Sequence, residues 1–146
     1  MIEIHNKQAR YNYFILEEIE AGIVLTGTEI KAIRKGHAQL KDSYAVIKKE
    51  EAFILNMHIS EYDNGNIFNH NPNRTRKLLL HKKEILKLSN EIKLNSYTLI
   101  PLKIYFVRGR AKVLIGLCKG KKNYDKRETI KERDINREMQ KNYKYR

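Results

Sequence analysis

The chain has 146 residues and a net charge of +13, from 30 Lys and Arg against 17 Asp and Glu. That length holds one modest core and excludes a two-domain enzyme, and the single cysteine, Cys118, excludes a disulfide framework and a cysteine-built zinc site. So large a cationic surplus on a small chain points to a polyanionic partner, nucleic acid ahead of an acidic membrane surface.

In chain order, residues 1–10 carry no apolar h-region, so no export signal is expected and a cytoplasmic protein is. Tyr13-Phe14-Ile15-Leu16 opens a strand that runs past Glu20 towards Leu25, with a bulge or bend expected at Gly22. Thr26-Gly27-Thr28-Glu29 has capping-box spacing, Ile30 and Ile33 give a short apolar face, and Gly36 makes a C-terminal stop. Residues 43–48 and 52–59 read as strands around the turn Lys49-Glu50-Glu51, with alternation running through the second arm. A second helix is expected over residues 81–94, with Ile85, Leu88 and Ile92 on one face and Leu86 beside them. Residues 97–107 and 111–117 flank Arg108-Gly109-Arg110, a hairpin turn, and Pro101 argues for an edge or a bulge in the first arm.

Residues 119–146 hold a net +6, against +7 for all of the preceding 118 residues. Their apolar residues, such as Ile130, Ile135 and Met139, form no firm stripe. Such a segment cannot offset its own ordering entropy, so it is expected to be disordered when free and helical on a partner. The plainer alternative is a solubilising tail that never orders. The rest reads as mainly β: a small OB-like closed β-barrel with two to three short helices, an open α+β sheet being the alternative.

Little in the sequence points to catalysis. His5, His37, His58, His70 and His81 include no pair at i, i+3 or i, i+4, so no metal site is read and no cofactor is expected. Neither G-x-x-x-x-G-K nor G-x-G-x-x-G occurs. Cys118 sits in an apolar strand and reads as a small hydrophobe. The cations are clustered instead: Lys7 and Arg10 beside Tyr11, Arg74 and Arg76-Lys77, Arg108 and Arg110, Lys119 with Lys121-Lys122, and Lys126-Arg127. Guanidinium forks suit phosphate oxygens and aromatic rings stack on unpaired bases, which favours RNA. Glu29 reads as the N3 residue of its cap. Glu20 reads equally as a solvated carboxylate or as an acceptor on an RNA-binding face.

Tyr13-Phe14-Ile15, Glu20-Ala21-Gly22-Ile23, Gly27-Thr28-Glu29-Ile30-Lys31, Arg74-Thr75-Arg76-Lys77-Leu78-Leu79-Leu80 and, above all, Gly120-Lys121-Lys122-Asn123-Tyr124-Asp125-Lys126-Arg127 resemble the SmpB family, the SsrA-binding (tmRNA-binding) proteins of bacteria. The resemblance covers nearly the whole chain in order. It implies an OB-like tmRNA-binding barrel over residues 1–119 and a basic tail over residues 120–146, helical on the ribosome. It implies a non-enzymatic adaptor of trans-translation, which binds the tRNA-like domain of tmRNA and delivers it to the A site of stalled ribosomes so that the nascent chain is tagged for degradation. By the same resemblance Glu20, Leu79 and His81 fall on the RNA-contacting patch, with Asn6, Lys7, Arg10, Arg74, Arg76 and Lys77 close to it.

In the tail, the resemblance makes Gly120 a flexible exit and Lys121, Lys122, Asp125, Lys126 and Arg127 the string needed for tagging. Tyr124 would stack on a base of small-subunit rRNA, and residues 130–139, with Ile130, Lys131, Arg133 and Met139, would form a helix in the vacated message channel. Glu138 departs from relatives that carry an apolar residue there. The partners implied are tmRNA, the ribosome and, indirectly through tmRNA, elongation factor Tu and alanyl-tRNA synthetase. Two other classes compete: a small RNA-processing nuclease and a general translation-factor OB module.

Overall fold

The computed structural model describes residues 2–62, 69–122 and 126–127. The elements are β1 (Ile4–His5), α1 (Ala9–Asn12), β2 (Tyr13–Ile23), α2 (Gly27–Arg34), β3 (Ala38–Gln39), β4 (Tyr44–Lys48), β5 (Glu51–Leu55), β6 (His58–Ile59), β7 (Arg76–Leu79), α3 (Lys82–Asn95), β8 (Thr98–Val107) and β9 (Arg110–Gly120). The fold is mainly β, with three helices and a large antiparallel sheet in the order β1-β8-β4-β5-β7-β2-β9. β9 also pairs with β8, so the pairings form a circuit from β8 round to β9. Its narrowest link is β4 to β8, where Ala45 stands opposite Leu99. β3 and β6 form a separate two-stranded ribbon.

Strand alternation sends Ala21, Ile54, Leu78, Ile104, Val113, Ile115 and Leu117 inward, where Ile33 of α2 and Leu88 of α3 join the same core. A smaller cluster gathers Ala9, Ile100, Leu102 and Cys118, and burial pushes the Cys118 thiol up to about 11. Both hairpin turns carry two successive residues with positive φ, Lys49 and Glu50 in one, Arg108 and Gly109 in the other. That is the type I′ pattern, whose twist matches the strands it joins.

The ends of α2 follow their sequence signals. Thr26 Oγ1 accepts from the Glu29 N–H at 3.3 Å, and Glu29 Oε1 accepts from the Thr26 N–H at 2.8 Å. At the other end Gly36, at φ +77°, donates to the Ile33 carbonyl and His37 donates to the Ala32 carbonyl, which is a Schellman closure. Helix α3 buries Ile85 and Leu88 and packs Ile92 on the core, while Leu86 stays exposed.

Two strand expectations are corrected and a third, at Pro101, is met. The irregularity in β2 lies between Ile15 and Glu17, whereas Gly22 keeps regular register with both Leu79 and Lys112. The arm read over residues 52–59 breaks at Asn56, whose φ of +59° ends β5 and turns β6 away to β3. Near Pro101 the bulge is present, between Pro101 and Lys103, but β8 is no edge strand, since it pairs with β1, β4 and β9.

A buried ion pair fastens these pieces together. Glu29 and Arg76 have fully buried side chains and are bonded through Arg76 Nε and Glu29 Oε2. Arg74, 31% exposed, donates to both Glu29 oxygens, at 3.0 and 2.5 Å. Arg76 Nη1 donates to the carbonyls of Met57 and Arg74, and Nη2 to those of Asn71 and Pro72. With the bond to Glu29, this accounts for all five guanidinium N–H groups. Among the described residues no buried side-chain N or O atom lacks a partner.

Burial alone would raise the Glu29 pKa, but bonds from Arg74, the Thr26 N–H and Arg76 outweigh it and hold the carboxyl below its ordinary 4.5. A carboxyl held low stabilises the fold above its ordinary value, and that contribution fades as the pH falls through the folded value. Glu29→Gln should therefore cost about 3–5 kcal/mol at neutral pH, since it leaves Arg76 charged and buried without its partner. Urea denaturation as a function of pH checks this: the gap between parent and variant should narrow as the pH drops below 4.5.

Candidate nucleic-acid interface

Four neighbouring strands, β7, β2, β9 and β8, share one outer face. Gly22 pairs with Leu79 on one side and Lys112 on the other, Lys112 pairs with Tyr105, and Glu20 pairs with Leu114. Since successive side chains alternate, Leu79, Glu20, Lys112 and Tyr105 stand on the face opposite Leu78, Ala21, Val113 and Ile104. Gly22 lets the face close up: a Cβ there would stand 3.2 Å from the Leu79 Cβ. Leu79 remains 54% exposed, a large apolar group held in water at the edge of a groove.

This groove, of ≈ 750 Å³, lies where the outer face meets the start of α3. It brings together Glu20, Leu79 and His81, which come from β2, β7 and the N-cap of α3, and adds Lys77. Its charged lining is mixed, with Lys77, Lys82 and Lys112 facing Glu20, Glu50, Glu51 and Glu84. Several of these charges are tied. Lys77 Nζ lies 3.6 Å from Glu51, and Glu84 accepts from the His81 N–H at 3.2 Å. Glu20 Oε2 accepts from the Tyr105 hydroxyl at 2.5 Å.

The other expected contact residues are dispersed. Arg76 is corrected: a fully buried guanidinium with every N–H bonded inside the protein cannot reach RNA. Arg74 is mostly committed to Glu29 and the Val24 carbonyl. Asn6 donates to the carbonyls of Pro101, at 3.0 Å, and Leu40, at 3.4 Å, which ties the N-terminal segment down. Lys7 and Arg10 are exposed, and Arg10 reaches Glu18, two residues along β2 from Glu20.

The root of the tail is also placed differently. Gly120, expected as a flexible exit, is the last residue of β9 and pairs with Tyr13. Lys121 donates from its N–H to the Asn12 carbonyl and from Nζ to the Arg10 carbonyl, both at 2.9 Å, with Nζ 4.9 Å from the centre of the Phe14 ring. Lys122 is exposed and its carbonyl accepts from the Lys126 N–H. Lys126 Nζ lies 5.8 Å from the Tyr11 ring, and Arg127 is exposed. Tyr124, Asp125, Ile130, Lys131, Arg133 and Met139 lie outside the described residues.

Sequence reasoning missed Tyr105, Lys112, Glu50 and Glu51. Lys112, Glu50 and Glu51 reach the groove, and Tyr105 reaches Glu20, through pairing between strands distant in the chain, for which no local pattern gives a signal. His70 is a core histidine: its Nε2 donates to the Ile59 carbonyl at 2.8 Å, which leaves Nδ1 to accept from Thr28 at 2.9 Å. Among the described residues no group of three His, Cys, Asp or Glu side chains could hold a metal ion, and no helix is long and apolar enough to cross a membrane.

Comparison with known proteins converges on one family. The family model for SmpB protein matches residues 3–145. An SsrA-binding protein of Shouchella clausii is 60% identical over 141 residues, covering 97% of this chain and 90% of the relative. Those of Enterococcus faecalis and Streptococcus pyogenes are 57% and 58% identical, covering 95% and 96% of this chain and 90% of each relative. A solved structure described as "tmRNA-SmpB: a journey to the center of the bacterial ribosome" is 46% identical, covers 83% of this chain and 85% of its own, and superposes with a TM-score of 0.70.

The opposite orientations of Leu78 and Leu79 generate a matched test. Leu78→Ala should cost about 2–5 kcal/mol in urea denaturation, since that side chain is buried. Leu79→Ala should stay within about 0.5 kcal/mol of the parent and yet weaken RNA binding in a filter or anisotropy assay.

Proposed function

The chain belongs to the SmpB family, and from that premise we propose that it is a tmRNA-binding adaptor of trans-translation, acting in the cytoplasm without catalytic chemistry of its own. The observation that carries this reading is the meeting of Glu20, Leu79 and His81, from three separate elements, on one exposed groove. The circuit of strand pairings supports reading residues 1–119 as an OB-like closed barrel, a fold that presents such a face on a rigid wall.

The groove's mixed charge narrows what it binds. Four carboxylates against three lysines give a bare phosphate ridge no net local attraction. Carboxylates accept well from base N–H groups and ribose hydroxyls, and an exposed leucine packs on a base or sugar face, so the groove suits the unpaired nucleosides of a folded RNA loop. The tRNA-like domain of tmRNA offers such a loop, while exposed cations such as Lys7 and Arg10 supply attraction to nearby phosphates.

In this reading the tail acts on the ribosome. Lys121, Lys122, Asp125, Lys126 and Arg127 engage the decoding region, Tyr124 stacks on a base of small-subunit rRNA, and residues 130–139 become helical in an empty message channel. Ordering on binding suits a segment with too little apolar surface to fold alone. Elongation factor Tu and alanyl-tRNA synthetase meet the complex through tmRNA.

The division of labour is tested by truncation after Lys122, which spares β9 and the Lys121 bonds to α1. The shortened chain should bind the tRNA-like domain within about twofold of the parent while losing peptide tagging in a reconstituted translation system. A fall in affinity parallel to the loss of tagging would contradict it.

A further inference from the structure

Tyr105 does not line the groove, yet it is bonded to a residue that does. It stands on β8, one strand beyond β9, and its hydroxyl reaches back over β9 to Glu20 on β2 at 2.5 Å. In register, Tyr105 lies opposite Lys112 while Glu20 lies opposite Leu114, so the bond crosses β9 diagonally and exists only once all three strands are paired. Lys103 Nζ lies 5.1 Å from the ring centre and 3.9 Å from Glu3.

The donor is neutral, and this distinguishes Glu20 from the ion-paired carboxylates nearby. Lys77 and Glu51 answer each other's charge, and so do Arg10 and Glu18. A phenol fixes a carboxylate's direction while leaving its charge available, and it occupies one oxygen while the other can accept from a ligand. A long exposed side chain would otherwise lose its rotamer freedom at the moment of binding, and a bond already made in the free protein removes part of that cost. Burial, with the Glu20 carboxylate beside it, pushes the Tyr105 phenol further above its ordinary 10.0, so it stays protonated and donating throughout the neutral range.

We propose that Tyr105 is a positioning residue of the RNA groove, holding the Glu20 carboxylate pre-oriented towards the donor groups of a bound RNA. This rests on the reading of the groove as the site for the tRNA-like domain.

Tyr105→Phe tests it, because the ring and its contact with Lys103 remain and only the hydroxyl goes. Parent, Tyr105→Phe, Glu20→Gln and the double variant are titrated with labelled tRNA-like domain of tmRNA at one salt concentration, with unlabelled tRNA as competitor. Tyr105→Phe should bind about fivefold more weakly, the size expected when one long side chain must be ordered on binding, with its melting midpoint little moved. The double variant should bind no more weakly than Glu20→Gln alone, because the hydroxyl acts only through that carboxylate. Alkaline spectrophotometric titration should show that Tyr105→Phe removes a late-ionising phenol.

Parent-like affinity of Tyr105→Phe, or losses that multiply in the double variant, would overturn the positioning role alone. A parent that binds tRNA as tightly as the tmRNA fragment would overturn the functional reading, and the positioning role with it.

Discussion

Burying a carboxylate is among the costlier things a small domain can do, and Glu29 is wholly buried. It is tolerated because two guanidinium groups and a backbone N–H surround it, and because Arg76 then binds four carbonyls from segments that share no ladder. The first turn of α2, the loop that precedes β7, the turn around Met57 and β7 itself meet at this one pair of side chains. An apolar replacement of the pair could match its stability. What the ions specify is where β7 begins, and a strand shifted by one residue would exchange Leu78 for Leu79 on the outer face.

That constraint reaches the groove directly. β7 runs from Arg76 to Leu79, and His81 follows as the N-cap of α3. Fixing Arg76 inside therefore fixes Leu79 outside, over the missing side chain of Gly22, with Glu20 two residues away on β2. The wall continues over β9 to Tyr105, so the groove is assembled from strands that the chain visits far apart. The start of the tail leaves from the opposite end of β2, beside α1, where Lys121 is held by the carbonyls of Arg10 and Asn12.

Much of this was legible in the sequence where the signals are local. The Thr26 to Glu29 spacing and Gly36 mark both ends of α2, and the turns at Lys49-Glu50 and Arg108-Gly109 mark two hairpins. β7 carries no strand signal of its own. Its residues show as a basic cluster, because Arg76 is an inward-facing position filled by a cation whose partner, Glu29, lies 47 residues earlier. The same blindness placed Arg76 on the RNA surface: a sequence shows charge but not burial. β1, β3, β6 and α1 are too short to carry a period. The expectation that Glu20, Leu79 and His81 contact RNA rests on family resemblance. Tyr105 came from neither source, since only strand order brings it to Glu20.

In the proposed function the groove recognises the tRNA-like domain of tmRNA as a particular folded RNA, beyond its charge. The most direct measurement is displacement of a labelled tRNA-like fragment from the full-length protein by unlabelled elongator tRNA, at fixed salt because phosphate contacts make affinity steeply salt-dependent. Elongator tRNA should displace the fragment only at large excess. Equal displacement by the two RNAs would contradict it and would make the protein a general binder of structured RNA.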